Sequence, residues 1–211
     1  GTTLFNMAVH PKTGKIFVSN TEARNDVRFE GPGSGVTQDA RYAGTSVRGH
    51  IAESRITLLS PSDHTVKPVH LNAHIDYAQC CAPAPNAETE RSLAFPVGLA
   101  ISRKRDLFGQ LLDAQDLYVA ALGSDKVAVL STARLEHAAA GQAIQDQRDH
   151  IEVAGGPVGL ELDEARNRLY VLAWFSNELV VINTRSRTVT DRQRMFSPEP
   201  ASIVSGRPFL Y

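Results

Sequence analysis

The apolar positions of this chain fall in short runs, alternating or continuous, broken by Gly, Asn, Asp, Ser and Pro. Such runs predict β-strands joined by turns, and no unit sustains the 3.6-residue spacing of a helical repeat. Laid against itself, the pattern recurs. Met7-Ala8-Val9-His10 leads to Lys15-Ile16-Phe17-Val18-Ser19-Asn20, and Leu99-Ala100-Ile101-Ser102 leads to Asp116-Leu117-Tyr118-Val119-Ala120. Leu160-Glu161-Leu162-Asp163 leads to Arg168-Leu169-Tyr170-Val171-Leu172, and Ile203-Val204-Ser205-Gly206 leads to Phe209-Leu210-Tyr211. Pro96, Pro157 and Pro200 precede the last three copies. The second halves also match: Arg55-Ile56-Thr57-Leu58-Leu59, Lys126-Val127-Ala128-Val129-Leu130 and Glu178-Leu179-Val180-Val181-Ile182.

Each unit therefore predicts four strands in meander order. Leu160 and Ile203 are 43 residues apart, within the roughly 40–45 residues of one four-stranded propeller blade. The expected fold is all-β: a β-propeller of four-stranded antiparallel blades, with about three and a half blades present as a partial ring. Blade 1 is expected over residues 4–72 with an insertion at 21–54. Blade 2 is expected over 93–154 with insertions at 103–115 and 133–150, blade 3 over 157–197, and a half blade over 200–211. Met7, Leu99, Leu160 and Ile203 then sit on the innermost strands. Phe17, Tyr118 and Tyr170 occupy matching second-strand positions, read as packing between blades. Propellers usually close with four to eight blades. An open ring leaves strand edges and an apolar blade face uncovered, so the chain is expected to be part of a longer protein. Its expected partners are the remaining propeller blades or another subunit.

Leu117-Tyr118-Val119-Ala120-Ala121 through Val129-Leu130, and Leu169-Tyr170-Val171-Leu172 through Val181-Ile182-Asn183, resemble YVTN-type β-propeller repeats. These occur in surface-layer-like and lactonase-like propellers, sometimes accompanied by a c-type haem domain. The resemblance implies a periplasmic or extracellular setting and a cytochrome-like domain as a candidate partner. It also implies two enzymatic alternatives to a scaffold: part of a c-type haem-containing oxidoreductase, or a lactonase-like metal-dependent hydrolase. The matching residues are structural, so they specify fold and not chemistry.

Composition narrows the classes. Lys and Arg number 22 against 23 Asp and Glu, a net charge of −1, so no basic field recruits nucleic acid. No apolar run approaches the length of a membrane-spanning helix, and no signal peptide is visible at the start of the sequence. The two cysteines, Cys80 and Cys81, are adjacent, and a disulfide between neighbours is strained. No C-x-x-C-H haem-attachment motif occurs, so no cofactor is evident in this segment. A c-type haem or a divalent metal would belong to the missing part or a partner interface.

The insertions carry the candidate chemistry. In a blade, the connection between strands 2 and 3 and the one leading to the next blade share one end of the sheet. The insertion at 21–54 and the connection at 73–92 therefore emerge together, whereas 103–115 and 133–150 lie at the other end. Long loops on a rigid scaffold are where binding concentrates. In the first loop, Glu22, Arg24, Asp26, Arg28, Arg41 and Arg48 are the partner-binding candidates, since planar guanidinium forks suit carboxylates. Its Gly31-Pro32-Gly33-Ser34-Gly35 lacks the Lys-Ser/Thr of a phosphate loop, and His50 is its lone candidate general base. His70 and His74, followed by Asp76, Cys80 and Cys81, form the densest set of metal-ligand types. His70 and His74 are the metal candidates, with ligand-free loop histidines as the alternative. Leu135-Glu136-His137-Ala138-Ala139-Ala140 before Gly141 predicts a short helix with a glycine stop. Trp174-Phe175 sits at a strand 2–3 turn, where it packs or meets a partner. The functional expectation is a scaffold or binding module whose loop-decorated face docks a partner domain, protein or ligand.

Overall fold

The computed structural model describes residues 2–23, 51–75, 86–139, 142–144 and 149–209. Twelve strands among them form three four-stranded antiparallel sheets. Blade 1 holds β1 (Thr3–Val9), β2 (Ile16–Ala23), β3 (Ala52–Ser60) and β4 (Thr65–His70). Blade 2 holds β5 (Pro96–Ile101), β6 (Asp116–Ala121), β7 (Lys126–Ser131) and β8 (His150–Glu152). Blade 3 holds β9 (Pro157–Asp163), β10 (Arg168–Ala173), β11 (Glu178–Asn183) and β12 (Thr188–Arg194). Strand order in each sheet follows chain order, as the meander pattern predicts. The first strands gather together: β5 touches both β1 and β9. Met7, Leu99 and Leu160 thus lie on separate innermost strands, in the arrangement of a β-propeller.

Alternation along the second and third strands builds the core. Leu117 and Val119 of β6 face blade 1 and join Phe17, Ile56, Leu58 and Val69 in one buried cluster. Tyr118 faces the opposite way and joins Val127, Val129 and Ile151 with Leu169, Val171, Val180 and Ile182 in a second cluster. A strand buried on both faces reads as a continuous apolar run, which explains Leu117 to Ala121. The turns repeat as well. His64 and Arg187, immediately before β4 and β12, both adopt left-handed backbone (φ 58° and 56°). Asp125 and Asn177, before β7 and β11, do the same (φ 52° and 54°). Asp and Asn tolerate that region better than most side chains.

Among the described residues, three α-helices decorate the sheets: α1 (Ala87–Arg91), α2 (Thr132–His137) and α3 (Ala201–Gly206). Two of them correct the sequence reading. Helix α2 begins directly after β7 and ends before Ala138, three residues earlier than expected, because Thr132 and Leu135 are its buried anchors. Ile203 lies in α3 and not in an innermost strand. A lone strand there would leave its backbone groups without a ladder, whereas a helix satisfies them within itself. The chain nonetheless comprises three blades plus this extra segment.

Candidate functional site

The connections at 24–51 and 71–95 leave the same end of blade 1. Row by row, Asn20 of β2 faces Arg55 of β3, which faces His70 of β4. Arg55 is held between two carboxylates: its Nε donates to Glu53 Oε2 at 2.8 Å, and its guanidinium also pairs with Glu22. Glu22, a partner-binding candidate, is therefore engaged within the blade while its side chain stays partly exposed. Arg24, Asp26, Arg28, Arg41, Arg48 and His50 lie outside the described residues.

The connection from blade 1 to blade 2 is fastened at several points. Leu71 is buried and its N–H donates to Ser54 O at 2.9 Å. Asn72, also buried, clips both backbone groups of Leu93: Nδ2 donates to Leu93 O at 2.9 Å, and Oδ1 accepts from Leu93 N at 2.8 Å. Helix α1 starts in a capping box, where Asn86 accepts from Glu88 N and Thr89 N while Thr89 Oγ1 accepts from Asn86 N. The exposed carbonyls of this short helix are then claimed from outside. Lys126 Nζ donates to Glu90 O at 2.6 Å, Ser92 Oγ to Glu88 O at 2.6 Å, and His74 Nε2 to Glu88 O at 3.1 Å.

Beneath α1, His74 and His150 lie within electrostatic reach of each other. With Nε2 donating, His74 holds its Nδ1 as a buried acceptor without a hydrogen-bond partner among the described residues. Burial lowers its pKa from the ordinary histidine value. Burial, with the positive Lys126 next to it, pushes His150 down to about 4, against the opposing pull of Asp149. Both rings are thus kept neutral at pH 7. His70 ends β4 on the face turned away from blade 2, since Val69 is the residue buried in the inter-blade core. Among the described residues no group of three His, Cys, Asp or Glu side chains could hold a metal ion. Asp76, Cys80 and Cys81 lie outside them.

Sequence reasoning missed His150, Lys126 and Asn72. Lys126 carried a faint signal, as a cation opening an otherwise apolar third strand. At the same end, Phe175 is buried and Trp174 stays part-exposed beside it, ring centroids 5.7 Å apart. Their turn is tied to the blade 3 lead-in by Trp174 N to Gly156 O at 2.9 Å.

The opposite end is built differently. Buried Gln115 organises the 103–115 insertion: its Oε1 accepts from Ser102 Oγ and Lys104 N, and its Nε2 donates to Leu112 O. His10 joins blade 1 to that insertion through Nε2 and Asp113 O at 3.0 Å. Between blades 2 and 3 lies a cleft of about 340 Å³ where Lys104, Arg185 and Arg187 meet Asp116 and Glu164 around Tyr118. Burial and the nearby Asp116 push the Tyr118 hydroxyl up to about 12. The cleft offers both signs of charge.

No family model matches the chain, and no curated protein sequence matches it. Solved structures do. Hydrazine synthase of Kuenenia stuttgartiensis is similar over 86% of this chain at 17% identity with a TM-score of 0.54. The nidogen/laminin complex is similar over 90% at 12% identity and TM-score 0.48. The dihydro-heme d1 dehydrogenase NirN in complex with DHE is similar over 94% at 9% identity and TM-score 0.46. The chain spans 45%, 46% and 28% of these chains, respectively. No helix among the described residues is long and apolar enough to cross a membrane. Together, the three radially gathered sheets and this likeness give the fold: the chain is a β-propeller protein, with three four-stranded blades and an extra C-terminal segment.

Proposed function

We propose that this chain is an extracytoplasmic β-propeller binding module whose loop-bearing end docks a partner domain, protein or ligand. The observation that carries the reading is the fastening of the inter-blade connection. Asn72, His74 and Lys126 hold α1 and its flanks over blade 2. Ordering such a segment costs conformational entropy, and a rigid mount beside a long polar loop is what a binding surface requires. The loop that leaves the same end of blade 1, between β2 and β3, supplies Arg24, Arg28, Arg41 and Arg48 with Asp26, and Glu22 lies near the end of β2 where that loop begins. Guanidinium forks in that number favour a partner surface rich in carboxylates. Further blades or another subunit complete the ring, and a cytochrome-like domain is the partner class that the YVTN resemblance implies.

The test is replacement of residues 24–50 by a five-residue turn in the native protein. Loss of the bound partner, with circular dichroism and melting unchanged, is the expected result. Binding that survives the replacement removes the reading. Spectroscopy and metal analysis of the native protein address the enzymatic alternatives. A Soret band assigns the chain to a haem oxidoreductase, and a stoichiometric divalent metal with lactone hydrolysis assigns it to a metal-dependent hydrolase.

A further inference from the structure

The insertion between β5 and β6 leaves blade 2 at the end opposite the loop-bearing one, and it is a braced finger. At its base, buried Gln115 holds Ser102, Lys104 and Leu112. Higher up, Arg105 pairs with Leu111 across the finger, and Leu112 N donates to Lys104 O at 2.9 Å. Near the apex, Asp106 N donates to Gln110 O at 2.8 Å, and Gly109, in left-handed backbone (φ 78°), donates to Asp106 O at 3.0 Å. Asp106 Oδ1 accepts from Phe108 N at 2.9 Å and from Gln110 N at 2.8 Å. Arg105 Nη1 closes the turn by donating to Gly109 O at 2.6 Å.

What this bracing holds out is apolar. Leu107 is 101% exposed and Phe108 89%, so neither side chain covers the other. A single exposed apolar residue is ordinary, but two neighbours fixed at the tip of an ordered turn mark an interaction site. A shaped protein pocket favours side chains that stand together as one knob. Two that stand apart are both immersed by a fluid apolar medium, because the hydrophobic effect has no direction.

The charges around the finger give the sign of the surface it meets. Its carboxylates are engaged: Asp106 by backbone N–H groups, Asp113 by Lys12 at 2.9 Å and Asp116 by Lys104 at 2.7 Å. Glu164, beside the base, accepts from Arg103 N. The guanidinium groups of Arg103 and Arg105 have no carboxylate partner among the described residues. We propose that the Leu107–Phe108 tip dips into the interface of a lipid bilayer carrying anionic headgroups, with Arg103 and Arg105 at the level of the phosphates. Long arginine stems keep the charge in the headgroup layer while apolar neighbours sit deeper, and each cation near an anionic surface strengthens the attachment. Two apolar side chains and two cations make that attachment reversible. The finger and the loop-bearing end lie at opposite ends of the blades, so this surface is separate from the docking proposed above.

Flotation of the native protein with lipid vesicles tests the proposal. Vesicles of phosphatidylcholine and phosphatidylglycerol in equal parts are expected to bind it about tenfold or more tightly than phosphatidylcholine alone. Leu107→Ser combined with Phe108→Ser should lose about tenfold or more of that binding, with melting unchanged because both side chains already stand in water. Arg103→Gln, at a guanidinium that braces nothing in the finger, should lower the preference for the anionic vesicles about fivefold. Flotation with neither vesicle overturns the proposal, as does a double serine variant that binds like the parent or an Arg103→Gln protein with an unchanged preference. Phe108→Bpa, photo-activated in cells, is expected to form a lipid adduct. A crosslink to a polypeptide in its place overturns the proposal in favour of a protein partner. None of these outcomes involves the 24–50 loop, so the docking reading stands or falls separately.

Discussion

Lys126, the first residue of β7, donates from Nζ to the main-chain carbonyl of Glu90 at 2.6 Å and thereby fastens α1 onto blade 2. The ammonium is buried, with the residue 7% exposed, so it fills two roles. It satisfies a carbonyl at the end of α1, and it repels a proton from His150. Lys126→Met keeps the aliphatic stem and removes the charge. The expected loss of stability is about 1.5–3 kcal/mol, the range of a hydrogen bond to a charged group, read by urea unfolding. The His150 resonance should titrate at higher pH in the variant. An unmoved His150 titration would show that the ammonium does not govern that ring.

The depressed histidines predict acid lability with a definite sign. His150 has a folded value of about 4, below its ordinary 6.5, and His74 is also lowered. The unfolded state therefore binds more protons between these values. The stability that neutral His150 contributes is fully present above about pH 6.5 and is lost as pH falls towards 4. The shift corresponds to at most about 3 kcal/mol, reduced by the solvent reaching the half-buried ring. Melting temperature should fall between pH 7 and pH 4.5, and His150→Gln should flatten that slope. A variant with an unchanged slope would place the acid lability elsewhere.

The propeller was legible because its signal is periodic and local. Strands β2, β6 and β10 share the same aromatic-then-valine step at Phe17-Val18, Tyr118-Val119 and Tyr170-Val171, and each lies second in its sheet. Ile203 misled for the same reason: its apolar pattern matches a first strand, but a strand needs a neighbour and a helix does not. The platform around α1 was not legible. Asn72 and Leu93 are 21 residues apart, and Lys126 and Glu90 are 36 apart, so their meeting depends on how one blade stacks on the next. The bond from His74 Nε2 to the Glu88 carbonyl likewise joins residues 14 apart, across the connection. His150 looked like an ordinary loop residue until β8 placed it opposite Ala128.

Asn72 clips the start of the inter-blade connection to its end at Leu93. Its amide serves both the N–H and the C=O of Leu93, and both residues are buried. Asn72→Ala leaves two backbone groups unpaired, at about 1–3 kcal/mol each where water cannot replace the partner. Asn72→Asp restores only the acceptor and should recover less than the full loss. Hydrogen exchange at the Leu93 amide is expected to accelerate in the alanine variant while Phe17 and Val119 amides stay protected. Equal acceleration at all three would mean that the whole sheet, not the connection, had loosened.

Gly98 sets how closely the innermost strands approach. A Cβ built there would lie 2.1 Å from the backbone oxygen of Val158, on the neighbouring β9. The obstacle is main chain and cannot swing aside like a side-chain tip. Gly98→Ala must push β5 and β9 apart, separating the blades along the row where Leu99 and Leu160 lie. Overpacking of this kind costs about 1–3 kcal/mol and occasionally more, and the rigid backbone contact places this site at the upper end. Gly206→Ala is the matched control, because nothing lies within 4 Å of its Cβ position and alanine favours helix by up to about 1 kcal/mol. Thermal unfolding should therefore show a drop of several degrees for Gly98→Ala and none for Gly206→Ala. A Gly98→Ala protein that melts like the parent would mean that β5 and β9 lie farther apart in solution than this packing requires.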